Sequence, residues 1–513
     1  MTLRASVSGP YSQFEGSGSS GAGIEDTSVR PFRRLRPDAG LHFVDFTVPV
    51  QGLSSVQYRF IEESGSDGEP VLIALTEKPH GDGIEWHPIT HEPLTPGDTL
   101  WITGFQALEY FAGRWLPLPY LRIMQRRDPA QGRFDDGPWN WARLFITPPT
   151  GSVRDAGAVQ AVLAFDPAVA PHGRLDQDFY LTPNQDDVTL GATYDLATGL
   201  GETAPFLAEP WVAQWLDDHA AEVSAADKPG MTKHGAGGEG AFRLASTARY
   251  LALLKVLGAC PSLPQIRFTS SDARRNAPPQ PARLFVDIDD RDTAAILVSD
   301  QTTPLRLRDL GQPSTSHESP WPTQAEFAPA NFGNATASRL SGRLDAFQWP
   351  SLVRVGEEAR RYALRPSAVN GVTGLRGLRS MLNDTAAHPT AWRFSREETT
   401  TIRPGPIVSG GTLNHLTETG GVIDASAGAA VPAVRPRFSA SSMLSMFASE
   451  IILHALSQLN AEEPSGPARA LAEVVVSCPA VSDDAERRAL TQTFKAAIDL
   501  IWTAYGWNSN ARL

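Results

Sequence analysis

At 513 residues, with 41% apolar and 20% charged side chains, the chain has the make-up of a folded protein and the length of about three ordinary domains. A formal net charge of −12 and a pI near 5.4 argue against a nucleic-acid partner, because phosphate recognition draws on concentrated Lys and Arg. Its two cysteines, Cys260 and Cys478, are far apart and form no Cys-x-x-Cys pair, which argues against a disulfide framework or structural zinc and points to the reducing cytoplasm.

Residues 1–8 lack the apolar core of a signal peptide and lead into a Gly/Ser tract at 16–21, so residues 1–30 are expected to be a disordered tail. From 31 to 150, short β-like runs such as Val71-Leu72-Ile73-Ala74-Leu75 and Ala142-Arg143-Leu144-Phe145-Ile146 alternate with Gly/Pro/Asp turns, which predicts an antiparallel β-rich domain. Trp86, Trp101, Trp115, Trp139 and Trp141 fall within it, either as core or as a carbohydrate- or peptide-binding face. Residues 151–280 read as an α/β connector, with a strand over 158–165, a helix over 204–216 and another over 242–257. Pro278, Pro279 and Pro281 mark the boundary before the last region, 281–513.

That region opens with Arg283-Leu284-Phe285-Val286-Asp287-Ile288-Asp289-Asp290-Arg291-Asp292-Thr293-Ala294-Ala295-Ile296-Leu297-Val298, two apolar strands around an acidic turn. Next come Val353-Arg354-Val355-Gly356-Glu357-Glu358-Ala359, a strand turning directly into a helix, and an apolar helix over 439–456. The helix is interrupted by Glu450 and His454 and is shorter than a bilayer span, so no membrane helix is expected. The run Glu473-Val474-Val475-Val476-Ser477-Cys478-Pro479-Ala480 reads as a strand buried on both faces. A final helix begins at Asp483-Asp484, with Leu490, Phe494, Ala497 and Ile501 on one stripe.

In this order, and together with Trp392-Arg393-Phe394, Arg437-Phe438-Ser439 and Trp502-Thr503-Ala504-Tyr505-Gly506-Trp507, these parts resemble the bacterial virulence factor SrfB family, within the actin and heat-shock-chaperone ATPase superfamily. The resemblance implies a mixed α/β protein whose residues 281–513 form the first lobe of an actin-like fold. It also implies a longer chain, about twice this length, so that the sequence corresponds to an N-terminal half. ATP and Mg²⁺ are the implied cofactors, with Asp287 as metal contact and Asp287, Asp290 and Thr293 facing the phosphates. The implied partners are SrfC-like products of the same operon, or a separate polypeptide carrying the second lobe. One departure stands out. Where the family's phosphate loop reads Asp-Ile-Gly, this chain has Asp287-Ile288-Asp289, and a side chain there obstructs close backbone approach to phosphate.

Other motifs carry less. Residues 235–240 match G-x-G-x-x-G, but no strand precedes them, so a loop is expected. His80, His87 and His91 are separated by prolines and read as surface-loop histidines, and His454 reads as a satisfied core residue. No Walker A, G-x-S-x-G or H-E-x-x-H motif occurs. Activity would then lie in assembly, with the lobe incomplete as a nucleotide site.

Overall fold

The computed structural model describes residues 31–37, 40–66, 68–75, 84–95, 97–124, 133–135, 137–148, 157–169, 182–225, 243–268, 279–333, 347–364, 373–395, 407–423, 431–459, 461, 469–478 and 482–507. The expected tail at 1–30, the glycine loop at 235–240, His80 and Pro479-Ala480 lie outside them.

The described residues form a mixed α/β fold arranged around an antiparallel sheet of β1 (His42–Pro49), β2 (Trp115–Pro117), β3 (Ala142–Ile146) and β4 (Ala158–Phe165), in the order β1-β4-β3-β2. Successive side chains on a strand point to opposite faces, and here both faces are apolar. Val44, Phe46, Leu144, Leu163 and Phe165 enter a core made from residues 35–268, while Phe43, Trp115, Phe145, Val162 and Ala164 enter a second core made mainly from residues 282–501. The sheet belongs to both. The expected boundary near 150 falls between β3 and β4, which pair from Ala142↔Phe165 to Ile146↔Ala161, so the strands on either side of it share one core.

The first core is packed by helices α1 (Gly104–Phe111), α2 (Gln185–Leu190), α3 (Leu200–Ala208), α4 (Pro210–Ala225) and α5 (Ala245–Gly258). The single helix expected over 204–216 is two. Glu209 leaves the helical conformation and Pro210 starts the next helix, where its missing N–H costs nothing. Trp115, Trp139 and Trp141 are buried, whereas Trp86 and Trp101 are exposed, so the aromatic load here is chiefly core.

In the second core, β5 (Gln280–Ile288), β6 (Asp292–Val298) and β7 (Thr302–Pro304) pair antiparallel in that order. A second, smaller sheet comprises β8 (Gln324–Phe327), β9 (Val353–Val355) and β10 (Gly374–Arg376), and β9 turns straight into α6 (Gly356–Ala363). Gly356 makes that turn possible. Its φ is +63°, and a Cβ there would meet Trp321 Cδ1 at 2.9 Å and Leu307 Cδ1 at 3.1 Å.

Helix α7 (Ala440–Leu459) threads the middle of this core, then β11 (Arg469–Val476) lies parallel to β5, and α8 (Asp484–Tyr505) packs on α7. Among the described residues α7 is the one helix long and apolar enough to cross a membrane, being longer than the segment expected from sequence; 83% of its apolar window is buried in the protein. A helix apolar on every side is what a surrounded core helix requires. The stripe expected on α8 is in place: Leu490, Phe494, Ala497 and Ile501 are all buried, and the Asp483 side chain caps the helix by accepting from the Glu486 N–H at 2.7 Å.

Candidate functional site

The acidic turn at 289–291 lies at the carboxyl end of β5, beside the carboxyl end of the parallel strand β11, the position at which open α/β sheets hold ligands. Directly opposed residues of an antiparallel pair share a face, and neighbours along a strand do not. Ile288 opposes Thr293, and Asp287 opposes Ala294. Asp287 therefore points to the exposed face of the hairpin, while Thr293 points into the core.

Each side chain has a local partner. The Asp287 carboxylate accepts the Ser477 hydroxyl. Thr293 is fully buried, with its hydroxyl 2.7 Å from that of Thr323. Asp290 accepts the Ser380 N–H at 2.6 Å, which ties the turn to the 3-10 helix Leu378–Met381. The turn is closed by the Asp289 N–H donating to the Asp292 carbonyl at 3.0 Å. Neither Asp289 nor Asp290 has a positive φ, so a glycine is not required there.

Asp287 and Thr293 thus lie on opposite faces of the hairpin, and Asp290 is tied to the 3-10 helix. Among the described residues, no three His, Cys, Asp or Glu side chains gather as a metal set. The arrangement does not fit a Mg²⁺–phosphate group held by these three side chains. Two of the histidines, His87 and His454, are structural as well. His87 is buried, unlike the surface residue expected, because its Nδ1 accepts the N–H groups of Ile89 and Thr90 at 3.2 and 2.9 Å. His454 Nδ1 accepts the Arg308 N–H at 3.4 Å, leaving Nε2 to face Glu450 at 3.5 Å, the satisfied core histidine expected.

A different feature of the same sheet is open. The strand order is β7-β6-β5-β11, so β11 is an edge among the described residues. The Ser477 N–H donates to the Val286 carbonyl at 2.8 Å, and backbone groups alternate in direction along a strand. Those of Val474 and Val476 consequently face outward. Beside that edge the uncovered face carries an apolar row, Val475, Phe285, Ile296 and Pro304, aligned by the register of four strands. Ile296 is 39% exposed. The expectation that this strand is buried on both faces is corrected here, since Ala472 and Glu473 are exposed and Val474, Val475 and Val476 are half-buried. An apolar run without a covering element gives the same sequence signal as a central strand.

The virulence factor SrfB family matches residues 30–512 of the chain. The chain belongs to the SrfB family. No curated protein and no solved structure matches it. In this SrfB-family protein the Gly356-Glu357-Glu358-Ala359 segment has a role that sequence reading missed. Glu358 accepts the N–H groups of Leu310 and Gly311 at 3.0 and 2.9 Å, and Arg361 grips Asp309 through both carboxylate oxygens at 2.6 and 2.9 Å. Burial, then the neighbouring Asp309 charge, pushes the Glu358 carboxyl up to about 8, against the opposing pull of Arg354 and the two N–H groups. The signal available in sequence was a helix-opening Glu-Glu pair followed by Arg360-Arg361.

Proposed function

We propose that this SrfB-family protein acts through assembly, by accepting a strand from another polypeptide along the outer edge of β11, and that its hairpin is a structural element of a degenerate nucleotide lobe. The observation that carries this reading is the edge of β11, open among the described residues. Natural proteins blunt exposed edges with Lys, Pro, bulges or cover. The outward half of β11, from Ala472 to Val476, has neither Lys nor Pro, and its one charge, Glu473, is 2.9 Å from Arg283 of the adjacent strand. The pairing with β5 skips Ala472, an irregularity at the start of this stretch, and from Glu473 to Val476 the ladder is regular. A β-branched edge beside an apolar face suits strand addition, where main-chain hydrogen bonds give affinity and side chains give selectivity. The occupant is a strand of a second cytoplasmic polypeptide, for which the family resemblance supplies candidates: the second-lobe chain or an SrfC-like product of the same operon.

Hydrogen exchange resolved to single amides tests this. In the isolated chain, Val474 and Val476 should exchange faster than Val475 and Ser477, and both should become protected on mixing with the candidate partner. Val474→Pro removes an outward donor and should abolish that association with only a small fall in melting temperature from the lost packing of its half-buried side chain, whereas Val475→Pro breaks the ladder to β5 and should lower it much further. Unchanged association of the Val474→Pro variant, or full protection of both amides in the dilute monomer, sinks the reading. Protection that appears only as this chain is concentrated would identify a second copy as the occupant instead. As a corollary, calorimetric titration with ATP and Mg²⁺ should give no heat that disappears in Asp287→Ala.

A further inference from the structure

Five arginines among the described residues are buried, and four of them face a carboxylate: Arg59 with Glu85, Arg354 with Glu450, Arg379 with Glu486, and Arg469 with Asp300. Arg143 does not. It is 3% exposed, on β3 of the shared sheet, and none of the described carboxylates is in ion-pair contact with it. One guanidinium nitrogen donates to Asn140 Oδ1 and another to the Ala142 carbonyl at 3.2 Å. The group lies 4.4 Å from the ring centre of Phe347 and 5.7 Å from that of Trp211. Asp166 attracts it from a distance, but the Asp166 oxygens accept the Ala168 and Phe347 N–H groups at 3.1 and 2.9 Å. Leaving a buried cation without a contacting anion costs several kcal/mol, roughly, even after relaxation.

Arg143 lines a cleft of about 1210 Å³ between the two cores, whose walls include Trp115, Phe332, Trp349 and Phe394. The carboxylates in that wall are committed elsewhere: Glu222 pairs with Arg114, and Asp218 accepts from Gln214 at 2.9 Å. Gly333, with φ +116°, keeps space beside the guanidinium. A Cβ at that position would stand 3.7 Å from Arg143 Nε.

We propose that this cleft binds a small organic anion, a carboxylate or phosphate on an apolar or aromatic body, with Arg143 as its counter-ion. A planar guanidinium fixed by Asn140 and the two rings is already oriented for bidentate recognition, so little side-chain freedom is lost on binding. The aromatic walls accept the body of the ligand, as in apolar pockets with a few convergent polar groups. This inference is independent of the strand-edge reading, which concerns the far sheet.

The test is isothermal titration of the full chain, at constant ionic strength, with benzoate, phenyl phosphate and the uncharged benzyl alcohol. Saturable binding of at least one anion is expected, with benzoate against phenyl phosphate deciding which anionic group is preferred, and benzyl alcohol should bind at least about tenfold more weakly, the loss of one charge-assisted hydrogen bond. Arg143→Met should reduce anion affinity by at least about tenfold while the melting temperature holds or rises, since replacing a buried charge by an apolar isostere is often neutral or stabilising. Equal binding of benzyl alcohol, equal binding by the Met variant, or no saturable binding of either anion overturns the proposal. Should Arg143→Met fail to fold, the comparison of anion with alcohol on the wild-type chain decides alone.

Discussion

Replacing Arg354 with alanine is expected to cost about 3–5 kcal/mol of folding stability, the range for removing one member of a buried ion pair. Arg354 is fully buried on β9, with Nη1 2.5 Å from Glu450 Oε1, Nη2 donating to the Ser351 carbonyl at 2.8 Å and Nε to the Ala328 carbonyl at 3.2 Å. The other Glu450 oxygen accepts the Trp349 indole N–H at 2.8 Å. Burial alone would raise the Glu450 carboxyl, but the Arg354 charge, helped by His454 and Trp349, holds it below the usual carboxylate range. Removing Arg354 leaves that carboxylate in the centre of α7 without its counter-charge, and leaves two carbonyls unsatisfied. The double variant Arg354→Met with Glu450→Leu should regain much of the loss, because it removes both charges together. Urea unfolding measures this. A single-variant cost below about 1 kcal/mol, the scale of an exposed pair, would show that the network is not sealed from water.

The second large effect is on pH. Burial, then the neighbouring Asp309 charge, raises the folded-state Glu358 carboxyl from its ordinary 4.5 up to about 8, so between these limits the native state holds a proton that the unfolded chain has released. Stability should therefore fall as pH rises from about 5 to about 8, by up to about 1.4 kcal/mol per pH unit where the difference in bound protons is greatest. Below that window the contribution is level. Glu358→Gln carries no titrating proton, so the melting-temperature difference between wild type and variant, followed from pH 5 to 9, isolates the effect. A wild type that gains on the variant with rising pH would reverse the sign and refute the assignment.

Local structure was readable from sequence wherever one signal sufficed. The alternation in 283–298 fixed both strands of the hairpin, the Val355-Gly356-Glu357 junction fixed the strand-to-helix turn, and the four-three-four spacing on α8 fixed its buried stripe. The same period of two, applied across the turn, already separates Asp287 from Thr293. What sequence could not show was partnership over distance. The pairing of β1 with β4, the sharing of one sheet by two cores and the openness of β11 depend on elements more than a hundred residues apart. Arg143 is an intermediate case. A lone charge inside Ala142-Arg143-Leu144-Phe145-Ile146 is anomalous for a core strand, but only its surroundings reveal that none of the described carboxylates contacts it.

The shared sheet also constrains how the polypeptide is made. Synthesis is vectorial, and β4 completes the sheet more than a hundred residues before β5 emerges from the ribosome. Through that interval the side bearing Phe43, Trp115, Phe145, Val162 and Ala164 meets water, and its covering helix α7 arrives later still. Until the carboxyl-terminal elements fold over it, that apolar sheet face is the part of the nascent chain most exposed to aggregation.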